Sequence, residues 1–157
     1  MIEAKHLISY LGTKLKMQWH HGEIGVLKGI EYVEPDNAYF ENGVMLMIST
    51  VGSIDSAKTM PARLGQMKPI LRNMSDIDKE IEHNGERFSF FNDVSLLEGY
   101  CDAYDEYIDH VYDFQDKPHE VDWLQAPFAI VNYALKWHFN VYNIDKEFWV
   151  NYNDVEL

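Results

Sequence analysis

Basic residues are scarce in this sequence. Its 157 residues hold 13 Lys and Arg against 26 Asp and Glu, a formal net charge of −13. Gripping nucleic-acid phosphates requires clustered Lys and Arg, so direct nucleic-acid binding is not expected. Cysteine is scarcer still: Cys101 stands alone, which excludes an internal disulfide framework. No apolar run approaches the roughly 20 residues of a transmembrane helix. The opening MIEAKHLISYLGTKLK lacks the basic-then-apolar layout of a signal peptide. The expected address is therefore a reducing cytoplasm, with no membrane partner. Low-complexity segments and internal repeats are also missing.

What is present is an ordinary globular composition, 46% hydrophobic and 25% charged, unlike that of disordered chains. The length suits a single domain over 1–157, able to bury a core without disulfides or metal. The charge is unevenly spread. Residues 1–78 hold 8 basic and 9 acidic side chains, whereas residues 79–157 hold 5 and 17. Nearly all the net charge therefore sits in the second half.

The first half reads as short strands. A short helix over 3–10 leads. Leu15 to Trp19 alternates apolar and polar, the period of a half-buried strand, and His21-Gly22 follows as a turn. Ile24 to Val33 is a second strand whose Gly25 and Gly29 predict a bulge or bend. Pro35-Asp36-Asn37 is turn chemistry, and Asn42-Gly43 is a hairpin signal before the apolar run Val44–Ile48. Residues 52–62 read as a loop, and Pro69–Leu71 as one more strand. The second half reads as helices. Ser75 is placed to cap a helix over 76–81, ended by Asn84-Gly85. Asp93 is placed to cap a longer one reaching Gln115. Asp122 is placed to open a last helix carrying Phe128, Val131, Leu135 and Phe139 at helical spacing, and Phe148–Tyr152 to pair back onto the sheet. The expected class is α+β: a small bent antiparallel sheet or partial barrel over 1–72, then a helical, acidic half over 73–157.

Three stretches carry a family resemblance: His6–Leu11; Lys68–Ile77 (KPILRNMSDI) running into Glu80–Phe88 (EIEHNGERF); and Leu135–Tyr142 (LKWHFNVY). In this order they resemble a group of small proteins encoded by phages and prophages of Bacteroidetes bacteria, which read KPILRPLSDL…EIEHNGEKF and then LLEWHFDVFGLI. Asn73-Met74 replaces their Pro-Leu, and Asn143-Ile144 their Gly-Leu. The resemblance implies a phage origin and a host-cytoplasm setting. It brings no catalytic residues with it.

The clearest chemical feature is the stretch 98–116. On a helical wheel Glu98, Asp102, Asp105, Glu106, Asp109, Asp113 and Asp116 fall within about 60° of one direction. Leu97, Tyr100, Tyr104, Tyr107, Ile108, Val111 and Phe114 fall opposite. A helix there would present a carboxylate row about 27 Å long, with neighbours roughly 5–6 Å apart, a spacing like that of phosphates along a nucleic-acid strand. Such a row suits a basic groove on a partner protein, which it would enter as a nucleic-acid mimic. It equally suits a plain solvated face. Acid–base catalysis is disfavoured, because catalytic carboxylates need distinct environments and these seven are alike.

Other constellations are weaker. His119-Glu120 begins an H-E-x-x-H pattern, but Trp123 replaces the second histidine. Gly52–Thr59 is one residue from a phosphate-binding loop, with Ala57 where glycine is needed and Pro61 beyond. Cys101 sits mid-helix without an activating partner. The expectation is a non-enzymatic phage protein with no cofactor and no metal, in its sharpest form an anti-defence, anti-CRISPR-like inhibitor of a basic host protein. The alternatives are a self-assembling phage structural or replication accessory protein, and a small metal-dependent hydrolase using the acids with His110 or His119.

Overall fold

The computed structural model describes residues 2–34, 39–40, 43–50, 59–83, 86–90, 93, 122–126 and 128–155. They divide into two compact units. Unit 1 comprises Met1–Leu71 and Asn143–Leu157, and unit 2 comprises Arg72–Tyr142.

Unit 1 is built on one sheet. Helix α1 (Ala4–Ile8) leads and buries Leu7. Six strands follow: β1 (Lys16–Trp19), β2 (Ile24–Tyr32), β3 (Val44–Thr50), β4 (Met60–Arg63), β5 (Met67–Leu71) and, from the end of the chain, β8 (Val150–Asn151). Their order across the sheet is β4-β3-β2-β1-β5-β8. Neighbours are antiparallel except β5 and β8, which run parallel. A single 3₁₀ turn, Leu64–Gln66, joins β4 to β5. The strands β1 to β4 form a meander, and β5 returns to pair with its first strand.

The local chemistry explains the curvature. In the β1–β2 hairpin the Trp19 N–H donates to the Glu23 carbonyl at 2.9 Å and the Gly22 N–H to that of Trp19 at 2.8 Å. Gly22 takes φ +94°, so His20-His21-Gly22 is a three-residue loop closed by the left-handed glycine. Within β2 the register with β3 shifts between Leu27 and Gly29, leaving Lys28 as the extra residue of a bulge, which bends the strand. Gly25 is fixed by space: a Cβ there would collide with the Ile48 side chain and lie 2.8 Å from the Trp19 ring. One face of the sheet buries Met17, Leu27, Leu46, Ile48 and Ala62.

Unit 2 carries the two-stranded hairpin β6 (Ile81–His83) and β7 (Glu86–Phe88), paired Ile81↔Phe88, Glu82↔Arg87 and His83↔Glu86. Helix α2 (Phe128–Lys136) supplies its longest described element. Its core is aromatic. Phe88 stacks on Trp137 with ring centroids 4.1 Å apart and lies 5.5 Å from Tyr133, while Phe90 meets Trp123 edge-on at 5.6 Å.

The expected helical second half is therefore a correction. Among the described residues the protein is mostly sheet, with eight strands, and α2 is the one helix of seven or more residues. The local signals at Ser75 and Asp122 were misleading. Asn73, not Ser75, does the capping: its Oδ1 accepts from the Ser75 N–H at 3.0 Å and closes one 3₁₀ turn, Met74–Asp76. The chain then turns into β6, which pairs with β7; Asn84-Gly85, read as a helix end, lies outside the described residues. Asp93 itself lies in helical backbone, its carboxylate accepting from the Ser89 N–H at 3.0 Å, and the helix expected to run from it to Gln115 lies outside the described residues. Asp122 opens only a 3₁₀ turn, Trp123–Gln125, and α2 ends before Phe139. Phe128, expected on the buried face, is 82% exposed, whereas Leu135 is buried as expected, together with Ile130 and Ala134. In unit 1, β4 occupies the end of the expected 52–62 loop. Among the described residues, no helix is long and apolar enough to cross a membrane.

Candidate functional site

The seven acids singled out by spacing, Glu98, Asp102, Asp105, Glu106, Asp109, Asp113 and Asp116, lie outside the described residues, as do Cys101, His110 and His119 and most of the phosphate-loop-like stretch. The described residues do define where that acidic stretch is attached. Phe90 and Trp123 flank it in sequence and pack against each other. The aromatic core of unit 2 thus brings together Phe90 and Trp123, which precede and follow the stretch by eight and seven residues. Charge follows the same division. Unit 2 contains 15 acidic and 5 basic side chains, net −10, and unit 1 contains 11 and 8, net −3.

Inside unit 2 the resemblance stretches converge on one buried residue. Arg72, at 4% exposure, runs alongside Phe139 in a parallel bridge. Its N–H donates to the His138 carbonyl at 2.8 Å and its carbonyl accepts from the Asn140 N–H at 3.0 Å. Its guanidinium reaches the Glu82 carbonyl at 3.5 Å. His138 and Asn140 are buried beside it, His138 at 1% exposure. A buried cation needs such polar company, because desolvation otherwise dominates.

The end of α2 positions His138. The His138 N–H donates to the Leu135 carbonyl at 2.9 Å and the Phe139 N–H to the Ala134 carbonyl at 3.1 Å. This pair of bonds is the Schellman ending, whose left-handed position is usually glycine. Here it is His138, at φ +63°. Around it, Lys136 lies 5.8 Å and 5.6 Å from the Tyr133 and Trp137 ring centroids. Burial, followed by the Asp93 carboxylate, pushes the Tyr133 hydroxyl above the ordinary phenol range. Arg72 and Asn140 carried no role in the sequence reading beyond the resemblance. Their buried, mutually bonded arrangement makes them the scaffold of unit 2.

The remaining described histidines do not assemble a centre. His6 accepts from the Glu3 N–H at 3.2 Å through Nδ1, and burial lowers its pKa below the usual imidazole value. His20 and His21 share the β1–β2 loop with ring centroids 6.4 Å apart, and His21 pairs with Glu23 at 3.2 Å on the surface. Among the described residues, no group of three or more His, Cys, Asp or Glu is placed to hold a metal ion. Comparison with protein-family models, with curated proteins and with solved structures finds no match.

Proposed function

We propose that this chain is a phage-encoded, non-enzymatic binding protein acting in the bacterial cytoplasm. In this reading it docks the acidic stretch Glu98–Asp116 into the basic nucleic-acid-binding groove of a host protein and so blocks it, as an anti-defence inhibitor would. The observation that carries the reading is the segregation of charge: unit 2 holds net −10 against −3 for unit 1. Within 98–116, seven acids recur with no Lys or Arg between them. Unlike charges spread for solubility, such a row gives orientation to an encounter and raises its rate at low salt.

The test is affinity capture from a Bacteroidetes host lysate at low and high salt, with a variant carrying Asp102→Asn, Glu106→Gln, Asp109→Asn and Asp113→Asn. The reading expects one nucleic-acid-binding protein, captured at low salt, released at high salt, and lost with the variant. Equal capture by the variant removes the acidic stretch from the interface.

A further inference from the structure

The sheet of unit 1 has the opposite charge to the rest of the chain. Its six strands contain Lys16, Lys28, Arg63 and Lys68 against a single acid, Glu31. In a sequence with twice as many acids as bases, these cations would ordinarily sit beside carboxylates. Among the described residues none of the four forms an ion pair. By contrast, Lys5, Lys79 and Arg87 pair with Glu3, Asp76 and Glu80.

Register places two of the lysines together. Gln18 lies opposite Lys68, and Lys16 lies opposite Val26. Lys16 and Gln18 are two residues apart and so face the same way. Lys16 and Lys68 are therefore diagonal neighbours, at about 7–8 Å, on the face opposite the buried Met17. Lys28, the bulge residue, is exposed two positions beyond Val26. Lys68 is exposed as well, whereas Lys16 is half-buried, and burial holds its amine below the ordinary lysine value. A carboxylate brought against Lys16 would relieve that cost, and it would be less screened there than on open surface.

We propose that this lysine face is a docking surface for the acidic stretch Glu98–Asp116 of a second copy of the chain. Charge complementarity within one sequence supports that occupant: a face with cations that form no ion pair among the described residues on one copy, and a stretch of seven acids with no Lys or Arg between them on the other. Such a contact is head-to-tail, so it can extend beyond a dimer. It rests on the reading of 98–116 as a docking element, and it gives that reading a consequence: self-association and capture of a basic partner compete for the same acids. The net repulsion between copies decays within a Debye length, about 10 Å at 0.1 M salt, whereas opposed charges in contact are screened much less.

The experiment is sedimentation of the purified full chain over a concentration series, in salt of about 0.1 M and of about 1 M. Apparent mass should rise with concentration at the lower salt and fall to that of the monomer at the higher. Lys16→Gln, Lys28→Gln and Lys68→Gln together should weaken the association roughly tenfold with an unchanged circular-dichroism spectrum. Mixing that lysine variant with the four-acid variant should restore heterologous association that neither shows alone, because each retains one intact half. A chain monomeric at every concentration in the lower salt overturns this inference, as does undiminished association of the lysine variant or a mixture that stays monomeric. Salt-sensitive capture of a host protein would survive all three results, so failure here is separable from failure of the functional reading.

Discussion

His138 concentrates the physics of unit 2 in one residue. It is buried, its carbonyl accepts from the Arg72 N–H, and it holds the left-handed backbone that ends α2. A left-handed residue with a Cβ costs roughly 1–2 kcal/mol, which glycine avoids. Comparing His138→Gly with His138→Ala isolates that cost, since both lose the imidazole and its contacts. The glycine variant should be the more stable by about 1 kcal/mol, read as a higher urea midpoint with an unchanged slope. Equal midpoints would show that α2 ends differently once the ring is gone.

At the scale of elements, the exposed edge strand β4 shows how the sheet is kept from growing. Pro61 lies opposite Met47 within it and has no N–H to offer an incoming strand. Edge strands are where proline is tolerated and where it blocks pairing with another chain. Pro61→Val should leave the unfolding midpoint nearly unchanged while lowering the concentration at which heated samples scatter light. Unaltered scattering would mean that something else guards this edge. The same proline hid the strand from the sequence, because Met60-Pro61-Ala62-Arg63 shows no run of β-formers. Where spacing and side-chain demands agreed, the elements were legible: Lys16–Trp19 by alternation, the β2 bulge by Gly25 and Gly29. Where two local rules competed, the sequence could be read either way. Asn84-Gly85 serves a hairpin as well as a helix end, and only the pairing of Ile81 with Phe88 decides between them. The Arg72, His138 and Asn140 cluster was not legible as a cluster, because its partners come from opposite ends of unit 2. The acidic stripe is legible as spacing alone, since its residues lie outside those described.

For the whole molecule the governing quantity is uncompensated charge. The described ion pairs Lys5–Glu3, Lys79–Asp76 and Arg87–Glu80 each involve exposed lysine or arginine side chains, and such pairs contribute between zero and about 1 kcal/mol. Opposing them is self-repulsion from a net charge of −13, ten charges of it within the 71 residues of unit 2. Self-repulsion of this kind destabilises a compact state and is relieved by screening. The two effects give opposite signs on adding salt: losing the pairs lowers stability, and losing the repulsion raises it. With three exposed Lys or Arg pairs among the described residues against a net charge of −13, the second should win. Raising sodium chloride from about 0.01 M to about 0.1 M shortens the Debye length from about 30 Å to about 10 Å, so most of the gain should appear within that range. Melting of the dilute chain should then move upward by a few degrees, since about 1 kcal/mol corresponds to roughly 2–4 °C in a protein of this size. The four-acid variant should begin at a higher Tm and respond less to salt, because part of the repulsion has been removed from its sequence. A Tm that falls with salt would reverse the assignment. It would show that the carboxylates of 98–116 are satisfied within the chain, leaving them no charge to spend on a partner.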